Sequence, residues 1–123
     1  MVNPETPLET DLNHVPGQFV YVVLCEFDDE AIRRAFEKWL LAGHLAEVAT
    51  FALSAMLVRI DFSAAERPAL EVHYTFRDRS EYERYLQDAA SRLRADSQAR
   101  FPAGVRWQRR TGAVIHRLAR SDS

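Results

Sequence analysis

Two apolar sets interleave along Gln18–Phe27: Tyr21, Val23 and Cys25 in one, Val20, Val22 and Leu24 in the other. Successive side chains of a strand point to opposite faces, so a strand apolar on both is covered on both. The pattern predicts a central strand. Asp28, Asp29 and Glu30 follow, placing negative charge where a helix dipole favours it. Ile32, Ala35, Phe36, Trp39, Leu40 and Gly43 then share one face at helical spacing. This helix is expected to fray at Gly43–His44, with Leu45 to Phe51 turning the chain. Ser54 to Phe62 alternates Met56, Val58 and Ile60 against Leu57, Arg59 and Asp61. Leu70 to Phe76 sets Val72, Tyr74 and Phe76 against Glu71, His73 and Thr75. Both read as strands, joined by a polar connection over Ser63 to Pro68.

Ser80-Glu81-Tyr82-Glu83 has the spacing of a capping box, in which serine and glutamate satisfy exposed N–H groups at a helix start. Tyr82, Leu86, Ala89 and Leu93 continue as an apolar stripe. The helix is expected to stop near Phe101-Pro102-Ala103-Gly104, before an arginine-rich strand over Val105 to Ile115. The resulting order, β-α-β-β-α-β, is the ferredoxin-like α+β arrangement, a four-stranded antiparallel sheet with both helices on one face. Its other face is bare in a monomer. If Tyr21 and Val23 face the helices, Val20, Val22 and Leu24 point to the bare face, which predicts a homodimer. Residues 1–17, with three prolines and no periodicity, read as a mobile arm. Residues 18–118 form the domain and residues 119–123 a tail.

At 123 residues the chain has room for one core. The net charge of −2 gives no reason to expect nucleic acid. Charge is unevenly spread: residues 1–91 carry 8 basic and 16 acidic side chains, residues 92–123 carry 8 and 2. Either the halves neutralise each other on folding, or the basic half holds an anion. Cys25 is the sole cysteine, so no internal disulfide forms. With no secretion signal and no apolar run long enough to span a membrane, the expected location is cytoplasmic.

His44 is the strongest candidate for chemistry. Beside the apolar stripe, near a helix end, its imidazole is placed either to exchange a proton with a ligand between helix and sheet or to cap its own helix. Trp39, Tyr74 and Tyr82 could wall an aromatic pocket or be plain core. Arg109 could clamp a carboxylate, although strand alternation sets it opposite Arg106 and Arg110; edge protection is the other reading. His14, His44, His73 and His116 show no metal-ligand spacing, so no metal is expected. Cys25 lacks an activating base nearby, and no cofactor motif is present. RNA-recognition motifs share this topology but stack bases on third-strand aromatics. Glu71, His73 and Thr75 take those places here, which argues against nucleic acid.

Three patterns together resemble a known family. They are Trp39-(x)4-His44-Leu45-(x)1-Glu47-Val48, Tyr82-(x)2-Tyr85-Leu86-(x)3-Ala90-(x)2-Leu93-Arg94-(x)5-Arg100-Phe101, and Val105-(x)3-Arg109-Arg110. The resemblance, over Phe19 to Leu118, is to an uncharacterised bacterial domain-of-unknown-function family similar to the dimeric α/β-barrel superfamily. It implies the ferredoxin-like fold, paired as a dimeric α/β barrel. It implies no activity, because the superfamily includes cofactor-free oxygenases, isomerases, haem-handling proteins and pure binding modules. Ala46 stands where related sequences have proline, so a different turn after His44 is expected. Two functions stay open: a small-molecule protein binding an aromatic or carboxylate-bearing ligand between sheet and helices, with or without cofactor-free chemistry, and an interaction module acting through its dimer.

Overall fold

The computed structural model describes residues 17–61 and 66–120. Apart from Gly17, the expected arm lies outside the described residues. Strand β1 (Phe19–Phe27) leads into helix α1 (Glu30–Trp39), a π turn at Leu40–His44 and helix α2 (Leu45–Ala49). Strands β2 (Ser54–Ile60) and β3 (Ala69–Phe76) come next. Helix α3 (Arg79–Tyr85), a second π turn at Leu86–Ala90, helix α4 (Ser91–Arg100) and strand β4 (Val105–Ala113) complete the order. The four strands form one antiparallel sheet, ordered β2-β3-β1-β4. Among the described residues no helix is long and apolar enough to cross a membrane.

The register places Tyr21 opposite Tyr74 on β3 and Thr111 on β4, with Val23 between Val72 and Arg109. Both helical arms cover that face. Phe27 packs on Phe36 of α1, and Tyr21 packs on Tyr82 and Tyr85 of α3. On the other face lie Val20, Val22 and Leu24, flanked by Met56, Val58 and Ile60 of β2. The aromatic side of the core is continuous, running from Phe19 through Tyr82 and Phe76 to Tyr85. Burying one such ring contributes about 1.5–3 kcal/mol.

Several expectations need correction. The second helical arm is capped by Asp78, whose side chain accepts the Glu81 N–H at 2.9 Å, while the Glu81 carboxylate accepts the Arg77 N–H at 2.8 Å. The Ser80 hydroxyl donates to Asp78 instead of capping. A carboxylate at position 78 carries full charge to the dipole, so it captures the helix start two residues earlier. The first arm is interrupted near Gly43 as spacing predicted, but the helix does not end there. It widens into the π turn, bends where Gly43 leaves helical backbone (φ 166°, ψ −33°), and continues as α2 through the segment expected to be a turn.

The π turn in the second arm shifts its buried face. Tyr85, Ala89, Ala90, Leu93 and Ser97 are buried, and Leu86 is exposed, contrary to the stripe read from spacing. In α1, Ala35 is exposed and Arg33 is 5% exposed. Arg33 bonds Glu30 and, at 2.5 Å, Glu37, so its charge enters the interior already paired. Strand β2 ends at Ile60 and β4 at Ala113, both earlier than alternation suggested.

Gly104 closes the last loop at φ +84°, with its carbonyl accepting the Asp28 N–H at 3.0 Å. A Cβ there would meet Ile32 Cδ1 at 2.6 Å. Gly104→Ala is therefore expected to destabilise the fold by about 1–3 kcal/mol, measured by urea titration with an unchanged slope. A midpoint equal to wild type would show that the loop can relocate at no cost.

Candidate functional site

The gap between the sheet and the two helical arms narrows around Tyr21. Its ring is 2% exposed, stacked 5.8 Å from Tyr74 and packed 5.9 Å from Tyr85. Two guanidinium groups converge on its hydroxyl oxygen: Arg94 Nη2 of α4 donates at 3.2 Å and Arg109 Nε of β4 at 3.1 Å. Arg109 reaches it because β4 alternation sends positions 107, 109 and 111 to the helix face. Arg94 is half-buried, one residue past the buried Leu93, and its Nε is buried with no hydrogen-bond partner. Burial raises the phenol pKa values of Tyr74 and Tyr85, so both stay neutral.

These groups enclose a cavity of about 40 Å³, lined also by His44, Val23, Val72 and Trp107. That is room for about one to three water molecules, against roughly 300–1,000 Å³ for a drug-sized ligand. His44 also borders an outer cleft of about 530 Å³ with Trp39, Glu47, Asp96 and Arg100. Its imidazole thus stands between the cleft and the interior. Trp39 holds it there by stacking, with ring centroids 4.3 Å apart at 25°.

His44 makes no capping hydrogen bond at the start of α2. Burial lowers its pKa below the ordinary imidazole value, against the pull of Glu47 and Asp96, so the ring is neutral at pH 7. Of the residues singled out in the sequence, His44, Tyr74 and Arg109 border one cavity. Trp39 touches that group through His44, and Tyr82, half-buried, through the Tyr21 ring at 5.3 Å. Tyr21 and Arg94 were missed. Arg94 carried a readable signal, since neither Ala90 nor Gln98, four residues away along the helix, offers it a carboxylate.

Cys25 is buried on the same face, and burial pushes its thiol pKa up to about 12, which leaves it protonated and inert. Among the described residues no group of histidines, cysteines and acids is placed to hold a metal ion. On β4, Arg106 pairs with Asp28 at 3.0 Å and Arg110 with Glu71 at 3.6 Å, away from Arg109 as alternation requires.

No curated protein matches the sequence. Among solved structures, two dimeric ferredoxin-like proteins from uncultured marine organisms share the fold. One is 15% identical, covering 82% of this chain and 98% of its own, with a TM-score of 0.64. The other is 12% identical, covering 85% and 94%, with a TM-score of 0.63. An aldoxime dehydratase aligns over 80% of this chain at 18% identity and a TM-score of 0.63, but over 28% of its own length. At such identities the likeness concerns the fold alone. The model of a domain of unknown function, DUF4286, matches residues 18–113, the span that holds the whole sheet and both helical arms, and the chain belongs to that family.

Proposed function

We propose that this protein is a homodimer, joined through the open sheet face, that binds a small aromatic or carboxylate-bearing molecule between sheet and helices. His44 is its proton-accepting group, in chemistry that needs no cofactor. The observation that carries the reading is the polar lining of an otherwise apolar gap, in which a neutral imidazole and two arginines border one cavity. Apolar walls with few converging polar groups are the usual make-up of a small-molecule site.

The dimer rests on the open face. Met56 is 56% exposed there, beside half-buried Val20, Leu24, Val58 and Ile60. The charges on that face are already paired: Glu71 bonds His73 at 2.7 Å and Arg110 at 3.6 Å, so covering them strands no lone carboxylate. The two marine proteins are described as dimeric, which agrees with this surface. One observation favours the rival reading, an interaction module whose dimer is its whole role: the cavity of about 40 Å³ is too small for an aromatic ring. Native mass spectrometry of freshly purified protein separates the two. A co-purifying small molecule supports the site, and bare protein with full occupancy of the dimer supports the module.

Met56→Glu should convert the dimer to monomer in sedimentation while leaving the monomer folded, because the side chain has little to lose inside the subunit. Wild-type protein sedimenting as monomer at micromolar concentration would end the dimer reading.

The depressed His44 pKa has a direct thermodynamic consequence. The folded state binds fewer protons than the unfolded chain, so the stability linked to this ring is fully present above the unfolded value of 6.5 and is lost as pH falls below it. An NMR titration of the ring should show its midpoint below 6.5, and His44→Phe should remove that part of the acid sensitivity of the melting temperature. A midpoint above the ordinary value would instead assign control of the ring to Glu47 and Asp96. His44→Ala should abolish ligand binding or turnover with little change in melting temperature; retained binding and turnover would remove His44 from the site.

A further inference from the structure

We propose that Tyr21, Arg94 and Arg109 form a carboxylate-binding site. The inference deepens the reading of the gap as a ligand site and depends on it. Its ground is the convergence of two arginines without ion pairs on one phenol oxygen. Arg33 pairs with Glu30 and Glu37, Arg92 with Glu47, Arg106 with Asp28 and Arg110 with Glu71. Arg94 and Arg109, like Arg34, Arg79, Arg84, Arg100 and Arg117, have no carboxylate within ion-pair distance among the described residues. These two alone among them direct a donor at one shared oxygen, the Tyr21 hydroxyl.

Two like charges brought to one oxygen repel each other, and part of their solvation is lost in the gap. Arg94 Nε adds a buried donor with no acceptor, which folded proteins rarely leave unsatisfied. An anion answers both features at once. A carboxylate offers two oxygens in a plane, one for each guanidinium group, and its charge-assisted bonds are stronger than those to a phenol. The cavity of about 40 Å³ accepts a group of that size. Arg109 is exposed, so the remainder of a larger acid has a way out past the edge strand β4. Walls of Val23, Val72 and Trp107 suit an apolar body next to the acid.

The test uses sodium acetate and its neutral isostere acetamide, titrated at constant ionic strength into full-length protein labelled with ¹⁵N-arginine. Acetate is expected to bind with a dissociation constant on the order of 1–10 mM and to move the Arg94 Nε–H resonance, with acetamide leaving it in place. Arg94→Gln and Arg109→Gln should each weaken acetate by about tenfold or more, whereas Arg84→Gln, on an exposed stretch of α3, should leave it unchanged. If Arg94→Gln fails to fold, Arg109→Gln decides alone, because its side chain lies exposed on an edge strand. Acetate and acetamide binding equally, or acetate indifferent to the Arg109 substitution, would overturn the carboxylate site and leave the gap as a ligand site. Neither probe perturbing Arg94 or the Trp107 emission would overturn both.

Discussion

Strand β1 is hydrogen-bonded along both edges, to β3 and to β4, so its backbone has no free edge. The pairing extends past the strand ends, where the Phe27 N–H donates to Pro68 and the Asp28 N–H to Gly104. A buried backbone group without a partner is costly, so these two ladders leave β1 a single register. The helices, the gap and the open face all take their positions from it. A slip of one residue would exchange Tyr21 for Val22, setting a phenol on the open face and removing the atom on which the two arginines converge.

Much of this was legible because β1 declares itself. Two interleaved apolar sets exclude an edge position, and once β1 is central the β-α-β-β-α-β order leaves few arrangements. The helix interiors were harder to read. Periodicity assumes a constant 3.6 residues per turn, and both arms abandon it for one turn. Leu86 therefore points outward although its spacing from Tyr82 and Ala89 fits an α-helix. Helix starts obey charge more than motif: Asp78 outcompetes Ser80 although the serine has the more familiar pattern behind it.

The candidate site was legible in part. Tyr74 and Arg109 come together because strand alternation sets both on the helix face, and His44 reaches the same cavity from the bent first arm. Arg33 and Arg94 show what pattern alone conceals. Both lie on helices beside buried apolar residues, and hydropathy would place both in water. Arg33 has Glu30 and Glu37 at helical spacing, so it can be buried as a neutralised unit. Arg94 has no such neighbour, and the hydroxyl it donates to, that of Tyr21, lies on β1, far away in sequence. Distinguishing them requires asking where each charge finds its counterpart, a question that sequence answers within a helix and not across the fold.

The two π turns bear on how such a chain changes over time. A π turn holds one residue more than an α-helix needs to cover the same stretch, and it takes up that residue locally while the helix on either side keeps its register. Losing one residue inside such a turn restores an ordinary helix with both flanks still packed, whereas losing one inside a regular helix rotates everything beyond it by about 100°. Leu40–His44 and Leu86–Ala90 are thus the two places where the arms can change length without turning their buried faces away from the sheet.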